Sequence, residues 1–185
     1  MKKLLMIITM LFMLSTTAFA AHVEYTSMNV PTNVNTSWKT WMSYTAISSR
    51  STQGKFISKW GFCDSQGFMR CAGERDFGVP EDYYLVAMGS YYGTAIGSKF
   101  RITTNTGNVF YVALGDCKAD IHTNSTHQYT TRHKDVIEFI VNTKTLNREV
   151  KRAGNANVYM PLNGSIAKIE KMTFIYWLKV IKWKN

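Results

Sequence analysis

Two carboxylates lie in apolar runs of the sequence. Val112, Ala113 and Leu114 run into Gly115-Asp116, and Val136, Ile137, Phe139 and Ile140 surround Glu138. A carboxylate buried in such a run without a partner costs several kcal/mol, on the order of 2–7. It is tolerated where it faces a cleft or a partner, or where the alternation of a half-buried strand turns it to solvent. Two acids in matching contexts favour the cleft. Paired carboxylates suit glycoside chemistry, in which one protonates the bridging oxygen and the other activates water or forms an adduct. A carboxyl among apolar neighbours has its pKa raised and can act as that acid.

The surrounding residues add candidate contacts. Gly89-Ser90-Tyr91-Tyr92-Gly93 places two tyrosines between glycines, where rings can stack on sugars. The polar segment from Cys117 to Lys134 carries Asp120, His122, His127 and His133 between two strong strand sequences. Segments of that kind are often functional. Asp120 and His122 become candidate cleft residues. The His/Asp/Cys cluster could bind zinc, but Asp120-x-His122 is not a zinc-ligand spacing, so neither a metal nor a cofactor is expected.

The elements that must position these residues read as mostly β. Trp38–Ser48 and Gly54–Asp64 read as strands around the polar turn 49–53. Gly67–Gly73, Tyr83–Ser90, Thr94–Thr104, Val109–Gly115 and Asp135–Thr143 read as further strands. Asn105-Thr106-Gly107-Asn108 is a hairpin turn. Leu146–Gly154 is the best helix, stopped by Gly154. Val158–Leu162 and Gly164–Ile181 supply closing strands. Trp38, Trp41 and Trp60 are assigned to the core. Cys63 and Cys71 flank a Gly-containing turn and could close a hairpin as a disulfide, leaving Cys117 unpaired.

The run Val86-Ala87-Met88, then Ile96-Gly97-Ser98-Lys99-Phe100, then Gly115-Asp116, then Ile137-Glu138-Phe139 resembles the three-aspartate (3D) domain. That is a cell-wall family related to membrane-bound lytic transglycosylase A and to expansins. Gly89 stands where the family has its first Asp, Cys117-Lys118 replaces a Thr-Gly, and Glu138 replaces the third Asp. The resemblance implies a six-stranded double-psi β-barrel with extra N-terminal strands and one or two short helices. It implies lytic transglycosylase-like cleavage of peptidoglycan, with Glu138 as proton donor and Asp116 as its electrostatic partner. The alternative it carries is an expansin-like, non-catalytic module for peptidoglycan or another cell-wall polysaccharide.

Lys2 and Lys3, the apolar stretch Leu4–Leu14 and Ala18-Phe19-Ala20 have the form of a bacterial secretory signal. The expected organisation is therefore a signal over 1–20, an extended arm over 21–37 and one domain over 38–185 with its core motif at 85–141. The expected location is extracellular or at the cell wall. Without the first 20 residues the chain keeps 20 basic and 12 acidic residues, a net charge of +8, which suits an anionic partner. The scattered cations carry no nucleic-acid motif. Neither Leu4–Leu14 nor the apolar run Met172–Ile181 is long enough to span a membrane, and a monomer is expected.

Overall fold

The computed structural model describes residues 21–176, apart from the side chain of Asp76. The expected signal segment and residues 177–181 of the expected last strand lie outside the described residues. No described helix is long and apolar enough to cross a membrane.

Among the described residues, nine strands form one sheet, with two short α-helices and several single-turn 3-10 helices. In chain order the elements are β1 (Ala21–Met28), β2 (Thr40–Ser43), α1 (Thr52–Trp60), β3 (Gly61–Cys63), β4 (Met69–Ala72), β5 (Asp82–Gly89) and β6 (Lys99–Thr104). They continue as β7 (Val109–Lys118), β8 (Glu138–Val141), α2 (Arg148–Ala153) and β9 (Ile166–Tyr176). The order across the sheet is β1-β9-β6-β7-β5-β4-β3. β8 pairs with the far end of β5, beyond β4, and carries β2 on its other side. β5/β7 and β2/β8 are parallel; the other pairs are antiparallel.

This overturns the six-stranded double-psi β-barrel and with it the three-aspartate family. The fold is mixed α/β with an open sheet. The reason lies in β9. Its 11 residues take the free edge of β6 and pass the sheet on to β1. The chain thus adds strands outward instead of returning to β4 or β8.

Alternation along the strands divides the core between the two faces of the sheet. Tyr84, Val86, Met88, Val112, Leu114, Phe139 and Val141 pack on one face with Val150, Ala156 and Leu162 of the C-terminal helical turns. Leu85, Ala113, Ile140 and Met172 pack on the other face, under Ile57 of α1.

Several local expectations change. The segment 21–37 is not a detached arm, because Val23 and Tyr25 alternate with exposed His22 and Glu24 and β1 pairs with β9 along its whole length. The expected strand at Gly54–Asp64 is mostly α1. Ser51 caps it by accepting from Gly54 N at 3.0 Å, a strong helix start, and Phe56, Ile57 and Trp60 have helical spacing. Val158–Leu162 forms 3-10 turns. The expected helix holds over Arg148–Ala153, capped by Asn147 and ended by Gly154 at φ 63°. The hairpin at Asn105–Asn108 also holds, joining β6 to β7.

Candidate functional site

Asp116 and Glu138 lie on the two strands that flank β5. Ala87 of β5 pairs with Asp116 on one side and Glu138 on the other. All three side chains therefore share a face, with the two Cα atoms about 10 Å apart across two strand spacings. A bulge produces this register. Val86 pairs with Leu114 and Ala87 with Asp116, so Gly115 is skipped. A Cβ at Gly115 would lie 2.7 Å from Ile140 Cδ1, so glycine permits the close approach that the bulge needs.

The electrostatics do not match the roles expected from the resemblance. Lys118, two residues beyond Asp116 on the same face, donates to Glu138 at 3.0 Å and to Asp135 at 2.8 Å. Asp135 is fully buried and also accepts from Thr40 at 2.7 Å and from Thr130. Burial acts to raise the pKa of Asp135, but Lys118 and the two hydroxyls outweigh it and hold the carboxyl below its usual range. Glu138 is thus an acceptor in a lysine-centred network. Asp116 is the group whose pKa is raised, first by burial and then by the charge of Glu138, against a bond from the Cys117 amide. The network ties together β2, β7, β8 and the segment before β8.

The remaining expected residues differ in burial and contacts. Tyr92 is fully buried and donates to the Asn29 carbonyl at 3.1 Å, so it belongs to the core. Tyr91 is 41 % exposed beyond the end of β5. Asp120 is exposed, accepts from Ser90 and lies 3.5 Å from His127 Nδ1. His122 is exposed and contributes its carbonyl to Thr131 N. No group of three His, Cys, Asp or Glu residues among those described is arranged to hold a metal. The position of the family's first Asp admits no side chain. A Cβ on Gly89 would lie 1.9 Å from the His127 carbonyl oxygen.

The proposed Cys63–Cys71 disulfide is absent, and all three cysteines are free thiols. Cys71 stands across from Gly61, whereas Cys63 stands across from Met69. The two thiols are therefore diagonal neighbours, a spacing of about 7–8 Å that is too long for a disulfide.

A cavity of about 670 Å³ opens on the same face as the carboxylates, farther along the sheet. Glu138 and the lining residue Asn142 are four positions apart, about 13 Å of strand, and neither Asp116 nor Glu138 lines the cavity. Tyr44 and Phe62 border it, 37 % and 45 % exposed, with Thr45, Ser48, Ser58 and Asn142 supplying polar groups. Ile57 and Met69 form apolar lining. Its shape depends on Gly54, where a Cβ would lie 2.1 Å from the Ser48 carbonyl oxygen, so α1 rests directly on the turn before it. The sequence reading missed this cavity because it took α1 as a strand. Tyr44 and Phe62 lie 18 positions apart in the sequence and both border the cavity once α1 folds between them.

Trp38 and Trp60 are also more exposed than expected, at 38 % and 56 %, while Trp41 packs against the core and donates to the Val150 carbonyl. No protein-family model, curated protein or solved structure matches the chain.

Proposed function

We propose that this protein is a non-catalytic polysaccharide-binding module whose glycan lies in the cavity between Tyr44, α1 and the β3–β4 hairpin. The observation that carries this reading is the lining itself. Exposed aromatic residues line the cavity together with hydroxyl- and amide-bearing ones, and none of the lining residues is charged. A pyranose ring has an apolar face that packs on aromatic side chains and a rim of hydroxyls that requires neutral donors and acceptors. The volume falls in the range of small-ligand sites, about 300–1,000 Å³.

The lysine-centred network supports the non-catalytic half of the reading. Lys118 is only 5 % exposed and is engaged by two carboxylates, an arrangement that braces four segments and leaves Glu138 already committed. The proposed location outside the cell rests on the sequence of residues 1–20.

Calorimetric titration of residues 21–185 with 1,4-linked glucose hexamers and with purified peptidoglycan glycan strands tests the reading. At least one should bind, and Phe62→Ala and Tyr44→Ala should each weaken binding about tenfold, as expected when a stacking contact of roughly 1.4 kcal/mol is lost. No new reducing or anhydro ends should form on prolonged incubation. Absence of binding by both glycans, or binding indifferent to both substitutions, overturns the proposal. Cleavage lost in Asp116→Asn would replace it with a catalytic one.

A further inference from the structure

A second cavity, of about 320 Å³, lies on the other side of α1. Phe56 and Trp60 line it from the helix, Glu74 and Lys99 from the strands and their connections, and Gly73 and Gly97 are among its other lining residues. It adjoins the first cavity across one rung of the β3–β4 hairpin. Gly61 lines the first cavity, and its cross-strand partner Cys71 lines the second.

The lining differs in kind from that of the first cavity. The Trp60 residue is 56 % exposed, with the Lys59 ammonium 4.7 Å from its ring centroid. Lys99 and Glu74 form an ion pair with N and O 2.5 Å apart, their side chains 13 % and 28 % exposed. Lys99 is held in place by the rings of Tyr83 and Phe174, at 5.1 and 5.4 Å from their centroids. Gly97 keeps the space open, because a Cβ there, at φ +91°, would meet the Phe56 ring at 3.2 Å.

An ammonium has three donors and a carboxylate about four acceptor sites. The bond between Lys99 and Glu74 uses one of each, so the fixed pair can still offer a donor and an acceptor side by side. Two adjacent hydroxyls of a sugar match that pattern. One oxygen accepts from Lys99 while its neighbour donates to Glu74, and both bonds are charge-assisted. A secondary amide does not match, because its N–H and C=O point in opposite directions.

We infer that the second cavity is a subsite for a sugar bearing a free vicinal diol, with the ring stacked on Trp60 and the diol bridged by Lys99 and Glu74. This rests on the glycan-binding reading of the adjoining cavity and specifies the class of glycan. Polymers of 1,4-linked hexose retain the 2,3-diol on each unit. A 1,3-linked hexose polymer has no vicinal pair on its internal units, and a 2-acetamido sugar linked through position 4 has none either.

The test compares titrations of residues 21–185 with 1,4-linked and 1,3-linked glucose hexamers. The 1,4-linked probe should bind about tenfold more tightly, a preference that one or two charge-assisted bonds can supply. Lys99→Met and Glu74→Gln should each remove the preference while leaving binding to the 1,3-linked probe unchanged. Trp60→Ala should weaken both probes, and Trp60→Phe should restore part of the loss. Circular dichroism of each variant separates a binding defect from a folding defect. Binding that depends on Phe62 and Tyr44 but shows no linkage preference, or a preference that survives both charge substitutions, overturns the subsite and leaves the polysaccharide-binding module standing. Loss of all binding in the wild type overturns both.

Discussion

Lys39 is fully buried and has no carboxylate among its described hydrogen-bond partners. Its ammonium donates to the Gly164 carbonyl at 2.6 Å, to Asn157 Oδ1 at 3.0 Å and to the Ser37 carbonyl at 3.5 Å. Burial lowers its pKa from the ordinary 10.5 to about 8. The folded state therefore releases this proton more readily than the unfolded chain. Between pH 8 and 10.5 the unfolded state holds the extra proton, so the Lys39 contribution to stability rises with pH, by about 1.4 kcal/mol per pH unit and about 3 kcal/mol in all. That contribution is complete above 10.5 and is lost as pH falls to about 8.

Cys71 opposes it in the intact protein. Burial raises the Cys71 thiol from 9.0 to about 11, so its contribution is lost as pH rises through that interval. Comparing wild type with Lys39→Met cancels the cysteine. Removing the ammonium also strips donors from Gly164 and Asn157, a cost of about 1–3 kcal/mol that does not vary with pH. The prediction therefore concerns slope. Urea unfolding at pH 7, 8, 9 and 10 should give a stability difference that is flat from 7 to 8. From 8 to 10 it should then move in favour of wild type by about 2–3 kcal/mol. Parallel curves across the range would refute the buried, unpaired lysine.

Three further outcomes follow from the same packing. Lys118→Met should destabilise the protein by about 3–5 kcal/mol in urea unfolding, because Asp135 is left charged and buried. Gly89→Ala should cost about 1–3 kcal/mol and loosen amide protection over residues 119–135, since the new Cβ meets the His127 carbonyl. In the native protein a thiol reagent should modify exposed Cys63 at once and reach buried Cys71 only on unfolding, and non-reduced mass spectrometry should find both as thiols.

The sequence made the strands of the centre legible, because β5, β7 and β8 are long apolar runs punctuated by Gly and polar residues. Asp116 and Glu138, which both interrupt such runs, face the same side of the sheet on either side of β5. Lys118 was within reach of the same reasoning, because two residues beyond Asp116 on a strand lies on the same face. Its partner Asp135 was not, because that contact depends on how the 119–134 segment folds back. Ser51 before Phe56, Ile57 and Trp60 carried the signal for α1, which the interior Gly54 and the β-prone aromatics obscured. The alternation in β1 was present but sparse, with Val23 and Tyr25 its main apolar members. Alternation states which side of a strand is buried and says nothing about which edge receives the next strand. The expectation of closure came from the many short strands with few helices and from the family resemblance, and the pairing of β9 with β6 and β1 removed it.

A bound glycan should settle in the two cavities beside α1, away from Asp116 and Glu138. Backbone amide chemical shifts of residues 21–185, followed by NMR as 1,4-linked glucohexaose is added, locate it directly. The predicted result is a set of saturable shifts at residues 44–49, 54–63 and 142, extending to 71–74 and 97–99, with Ala87, Asp116, Lys118 and Glu138 unmoved. Shifts centred on Ala87, Asp116 and Glu138, or none at all, would contradict it.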